Sequence, residues 1–87
     1  MHTAWSNYGA TGEGNTIMIA VARTEPQARE LFKAKFDRYY WPGMVVARGI
    51  PQEVDGYIPQ WVKRGVQGLT GQLCSYHWYG EYHVNCS

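Results

Sequence analysis

The stretch Ile17-Met18-Ile19-Ala20-Val21-Ala22 is an unbroken apolar run, closed by Arg23 and then by Thr24-Glu25-Pro26-Gln27. It falls far short of the roughly 20 apolar residues that a membrane-spanning helix needs, so it reads as a buried strand of a globular domain. A helix start follows it. Thr24 is a candidate N-cap, Pro26 sits in the first turn where a missing N–H does no harm, and Gln27 takes the third helical position. Ala28, Leu31, Phe32, Phe36 and Tyr39 then recur at three- and four-residue steps, which puts them on one face, while Arg29, Glu30, Lys33 and Asp37 turn to water. A buried strand followed at once by an amphipathic helix predicts a helix packed on a sheet.

The other segments fit that scheme. Residues 1–8 read as an edge strand and residues 9–15, G-A-T-G-E-G-N, as a turn-rich connection. These glycines do not make a phosphate cradle, which needs a strand before them and a helix after them, whereas a β-branched strand follows. Trp41-Pro42-Gly43 stops the helix between Phe36 and Tyr39, and residues 44–48, M-V-V-A-R, read as a second apolar strand. Residues 49–57 form a polar connection. Residues 58–66 read as a short helix with Ile58, Trp61 and Val62 inward and Lys63 and Arg64 outward. Strands over 72–78 and 81–86, joined around Tyr79-Gly80, close the chain, and no internal repeat shows. The expected architecture is one α+β domain over residues 1–87, with an antiparallel or mixed sheet of about four strands, one main amphipathic helix covering a single face, and a C-terminal β-hairpin.

That last segment raises the question of a metal. Cys74, His77, His83 and Cys86 have the mirrored spacing C-x2-H-x5-H-x2-C. Strand side chains alternate faces, so residues three apart point to opposite sides. If Trp78 lies opposite Tyr82, Cys74 meets Cys86 and His77 meets His83; if Trp78 lies opposite Glu81, Cys74 shares a face with His83. No regular register gathers all four, so the expectation is no metal and no cofactor, with the cysteines as small half-buried thiols and a cross-strand disulfide as the alternative in the first register.

Charge and composition narrow the function. Eight Lys and Arg against seven Asp and Glu give a formal net charge of +1, too little for a global field that would hold the chain on DNA or an anionic membrane. It also rules out an acidic nucleic-acid mimic. The first residues lack the basic start and apolar run of a signal peptide, so the expected location is the cytoplasm, where thiols are normal. The carboxylates Glu13, Glu53, Asp55 and Glu81 are scattered, and a Cys74–His83 nucleophile would lack a walled pocket, so no catalytic residues are assigned and an enzyme or zinc protein ranks below a binding protein.

The aromatics carry the binding expectation. Seven Tyr and four Trp against two Phe give most rings a polar handle, suited to half-buried contact surfaces. Arg38 runs into Tyr39-Tyr40-Trp41, and Lys63 and Arg64 follow Trp61, so these two segments set cations beside large rings. Arg38, Tyr39, Tyr40, Trp41, Lys63 and Arg64 are therefore the expected partner-binding residues. The partner class is another protein or protein complex, with a nucleotide or nucleic acid as the alternative, and no membrane.

The order of apolar strand, T-E-P-Q-A-R-E-L-F-K-A-K-F helix, second strand and terminal hairpin L-C-S-Y-H-W-Y-G-E-Y-H-V-N-C resembles small phage-encoded counter-defence proteins, in particular some anti-CRISPR proteins. The resemblance is one of pattern and covers residues 16–86. It implies a non-catalytic inhibitor that occupies a site on a host defence complex.

Overall fold

The computed structural model describes residues 2–7, 16–64, 73–78 and 80–86. The connection expected over 9–15 lies outside them, as do Val66 and Gln72 at the ends of expected elements. The described elements run β1 (Thr3–Asn7), β2 (Thr16–Ala22), α1 (Glu25–Lys35), a 3-10 turn (Asp37–Tyr39), β3 (Val46–Arg48), α2 (Gln52–Asp55), α3 (Gln60–Lys63), β4 (Leu73–Trp78) and β5 (Tyr82–Cys86). Together they make an α+β domain. All pairings are antiparallel and the strand order is β3-β1-β2-β4-β5, which makes five strands rather than four. β1 corrects the edge assignment: it lies between β3 and β2, because the short β3 returns to pair with it (Ser6 opposite Ala47).

α1 starts as its residues dictate. Thr24 has extended backbone, and its Oγ1 accepts the Gln27 N–H at 3.3 Å, while Gln27 Oε1 reaches back to accept the Arg23 N–H at 3.1 Å. The α-helix ends at Phe36, whose own N–H still bonds the Phe32 carbonyl (2.7 Å), and the chain tightens into the 3-10 turn. α1 and the following segment bury Ala28 and Phe32, with half-buried Leu31, Phe36, Tyr39, Tyr40 and Trp41, against Met18, Ala20 and Ala22 of β2, Val46 of β3 and Leu73 of β4.

The other residues of the apolar run face the opposite way, and that face is covered too. Ile19 and Val21 pack with Ala4, Cys74 and Tyr76 under Val54, Ile58 and Val62. The cover is a short repeat, which corrects the reading that the chain has none. Pro51-Gln52-Glu53-Val54-Asp55 and Pro59-Gln60-Trp61-Val62-Lys63 each place proline before a single helical turn and a fully buried valine at its third position. In each turn the valine N–H bonds the proline carbonyl, at 3.1 Å for Val54 and 3.0 Å for Val62. Asp55 and Lys63, the last residues of the two repeats, meet as an ion pair at 3.4 Å. The expected polar connection over 49–57 thus contains α2, and the sheet has a helical layer on both sides.

The hairpin adopts the first of the two registers, with Trp78 opposite Tyr82 and Gly80 in the turn at φ 84°, a conformation that favours glycine. Cys74 therefore faces Cys86, and the two form a disulfide. This corrects the expectation of free thiols: the register sets Cys74 directly opposite Cys86, within reach of its sulfur. Tyr76, in the same strand and fully buried, has its phenol pushed above the usual tyrosine range by burial and, secondarily, by the negative charge of Asp55, so it stays neutral in the core.

The disulfide closes a loop of separation 12, for which chain entropy alone gives about 3 kcal/mol. Chemical denaturation with and without reductant is expected to show a loss of about that size, and Cys86→Ala without reductant should reproduce it. Equal stability in both conditions would mean that the bridge does not hold β5 to the sheet.

Candidate protein-binding surface

The sheet separates the two halves of the expected contact region. Arg38, Tyr39, Tyr40 and Trp41 belong to the layer that covers Met18 and Ala20, whereas Lys63 and Arg64 end α3 on the opposite face, beside Val62. They do not form one patch. Lys63 is also committed elsewhere, since its side chain is mostly buried and pairs with Asp55, tying α3 to α2.

The first four residues gain other neighbours. The 3-10 turn is held by the Tyr39 N–H to the Phe36 carbonyl (2.7 Å), and the reversal at Pro42-Gly43 by the Met44 N–H to the Trp41 carbonyl (3.0 Å). Arg29 donates to the Pro42 carbonyl at 3.3 Å and lies 3.8 Å from Glu25, so it braces this turn against α1. Within it, the exposed Arg38 guanidinium sits 5.6 Å from the centre of the half-buried Tyr39 ring. The same ring meets His77 of β4 edge-on, with centroids 6.2 Å apart at 65°. His77 is anchored by a 3.1 Å hydrogen bond between Nδ1 and Thr16 Oγ1, and opposite it in the hairpin stands His83, whose Nε2 is 3.8 Å from Glu81. The result is a row of guanidinium, phenol and imidazole across the layer boundary, with a second imidazole one strand further out.

A second cation–aromatic pair lies on this face of the sheet. Arg48 of β3 sits 5.5 Å from the ring centre of Trp5, whose Nε1 donates to the Ala22 carbonyl at 3.0 Å. Trp5, Arg48, His77 and His83 were not expected in a contact surface. For the histidines the signal was present, because the first hairpin register already put them on one face, but only the packing of α1 shows which face that is. For Trp5 and Arg48 it lies in the pairing of β1 with β3, which no local pattern encodes.

Chemically this surface offers cations, ring faces and hydrogen-bonding imidazoles. No group of three His, Cys, Asp or Glu residues comes together among the described residues; Cys74 with Cys86 and His77 with His83 fall on opposite faces of the sheet. The outer flank of α1 has a shallow apolar depression lined by Pro26, Gln27, Glu30, Leu31 and Ala34. No helix among the described residues is long and apolar enough to cross a membrane. Comparisons with protein-family models, with curated proteins and with solved structures each find no match.

The split between the faces is measurable by melting. Lys63→Glu sets like charges at the α2–α3 junction and should cost up to about 1 kcal/mol, the size of a surface ion pair. Arg64→Glu, at an exposed side chain, should stay within about 0.5 kcal/mol of the parent, and Arg38→Glu, which removes the contact with the Tyr39 ring, within about 1 kcal/mol. A Lys63→Glu protein as stable as the Arg64→Glu protein would remove the Asp55 pair from this account.

Proposed function

We propose that the chain is a non-enzymatic binding protein, an inhibitor that works in the host-cell cytoplasm by occupying a site on a host defence complex. Its contact surface is the α1 side of the sheet, centred on Arg38, Tyr39, Tyr40 and Trp41. The observation that carries this assignment is that the Tyr39 ring is in contact with both the Arg38 guanidinium and the His77 imidazole. Arginine, tyrosine and tryptophan dominate interface hot spots because they combine large apolar area with donors that can be satisfied on contact. The inhibitor class is supported by the resemblance in element order to small phage counter-defence proteins. The balanced net charge of +1 fits a local contact better than long-range attraction to nucleic acid.

Reducing conditions in a cytoplasm bear on β5, and so on His83 at the rim of this surface, rather than on Arg38, Tyr39, Tyr40 and Trp41. The bridge joins β4 to the outermost strand, while Tyr39 meets β4 at His77, which Thr16 of β2 anchors independently of the bridge. A nucleotide or single-stranded nucleic acid is the alternative ligand, since a guanidinium beside a half-exposed ring can hold a phosphate next to a stacked base.

Plaque formation tests the reading. Expression of the chain in a bacterium with CRISPR immunity against a test phage should restore plating, and Arg38→Glu should abolish the restoration while leaving the protein folded, with its melting temperature lowered by several degrees at most. Full immunity against every defence type tried would overturn the inhibitor reading. Binding to short oligonucleotides that falls steeply with salt would transfer the site to the alternative ligand.

A further inference from the structure

The two edges of the sheet are unlike. β3 exposes only Val46–Arg48, carries a cation, and ends at Gly49, which leaves the strand direction at φ 97°. β5 is longer, and its sequence Tyr-His-Val-Asn-Cys contains none of the lysine, arginine, carboxylate or proline residues that protect an open edge. Among the described residues it pairs with β4 alone, and His83, Val84, Asn85 and Cys86 are all exposed.

Which backbone groups lie on that edge follows from the parity of the ladder. The Ala4 carbonyl accepts the Gly49 N–H (2.8 Å), so Ala4 turns its groups towards β3; the Met18 N–H goes to Asn7 Oδ1 (2.7 Å), so Met18 turns towards β1. Ile17 and Ile19 therefore turn towards β4, where Tyr76 and Cys74 meet them. Ser75 and His77 are left to bond Asn85 and His83, and Tyr82, Val84 and Cys86 point their N–H and C=O groups off the sheet. The Cα atoms of Cys74 and Cys86 are 4.0 Å apart, in keeping with the narrow spacing of a pair that does not share hydrogen bonds.

We infer that β5 is the interface of a two-fold homodimer, in which β5 of one protomer pairs antiparallel with β5 of its partner about an axis beside Val84. The second copy is the occupant because the strand is its own complement in this register. Val84 meets Val84 of the partner subunit, apolar against apolar, and both exchange backbone hydrogen bonds. His83 meets Asn85 of the partner subunit, imidazole against amide, and symmetry repeats the contact. Tyr82 and Cys86 of the partner subunit pair through their outward backbone groups. No lysine, arginine or carboxylate lies in the strand to repel its copy. The axis stands perpendicular to the sheet, so the dimer carries both α1 faces on the same side. This inference stands apart from the proposed function.

Sedimentation over a concentration series of oxidised protein provides the test. The expected result is a particle of twice the chain mass, with Val84→Lys raising the dissociation constant about tenfold or more by placing two ammonium groups at the axis. In the parent, amide exchange at Tyr82, Val84 and Cys86 should slow as concentration rises, while His83 and Asn85, already bonded to β4, change little. A parent that stays monomeric throughout overturns the inference, and so does a dimer that survives Val84→Lys. Should that variant lose its circular dichroism signal, the parent's exchange pattern decides: slowing confined to 82, 84 and 86 supports the edge pairing, and its absence overturns it.

Discussion

An apolar strand with no polar face has to be covered twice, and β2 imposes that requirement on everything around it. Met18, Ala20 and Ala22 look to α1, while Ile19 and Val21 look to the two single turns α2 and α3. Fully burying a residue such as Ile19 or Val21 is worth about 1.5 to 3 kcal/mol, so leaving either face to water would forfeit much of the stability of so small a domain. Both backbone edges of β2 need partners as well, which places β1 on one side and β4 on the other. Where the β1 ladder stops short, Asn7 supplies its side-chain oxygen to the Met18 N–H, so a buried donor is not left unpaired.

The two covers differ in kind. α1 is long enough to be specified by its own caps and period, and it leads into a turn rich in Arg, Tyr and Trp that lies half-exposed over the sheet. The α2–α3 cover is built from minimal turns, each pinned by a proline before it and a valine beneath it, and joined by Asp55 with Lys63. One layer thus holds rings and cations at the surface. The other uses Lys63 to close the structure.

The parts legible in the sequence are those that local chemistry decides. Thr24, Pro26 and Gln27 announce α1, the run from Ile17 to Ala22 announces β2, and Tyr79-Gly80 places the hairpin turn, though it leaves both registers open and only the strand pairing decides between them. The internal place of β1 was hidden, because strand order depends on where the brief β3 returns. α2 was hidden because a single turn has too few residues to show a period, although comparing Pro51–Asp55 with Pro59–Lys63 would have exposed the repeat. For the contact surface, Arg38 through Trp41 could be read as a cation beside rings, but its separation from Lys63 and Arg64 is a property of the layers. Its partnership with His77 needed the pairing of β4 with β2 and the position of α1 together.

The account rests on β2 being covered on both faces by different elements, and nuclear Overhauser contacts test that most directly. The predicted pattern sorts by parity: the Phe32 ring shows contacts to Met18 and Ala20, and the Val54 and Val62 methyls show contacts to Ile19 and Val21, without crossing between the sets. Contacts from Val62 to Met18, or none from Val54 and Val62 to β2, would contradict the double cover and with it the assignment of Arg38 and Lys63 to opposite faces.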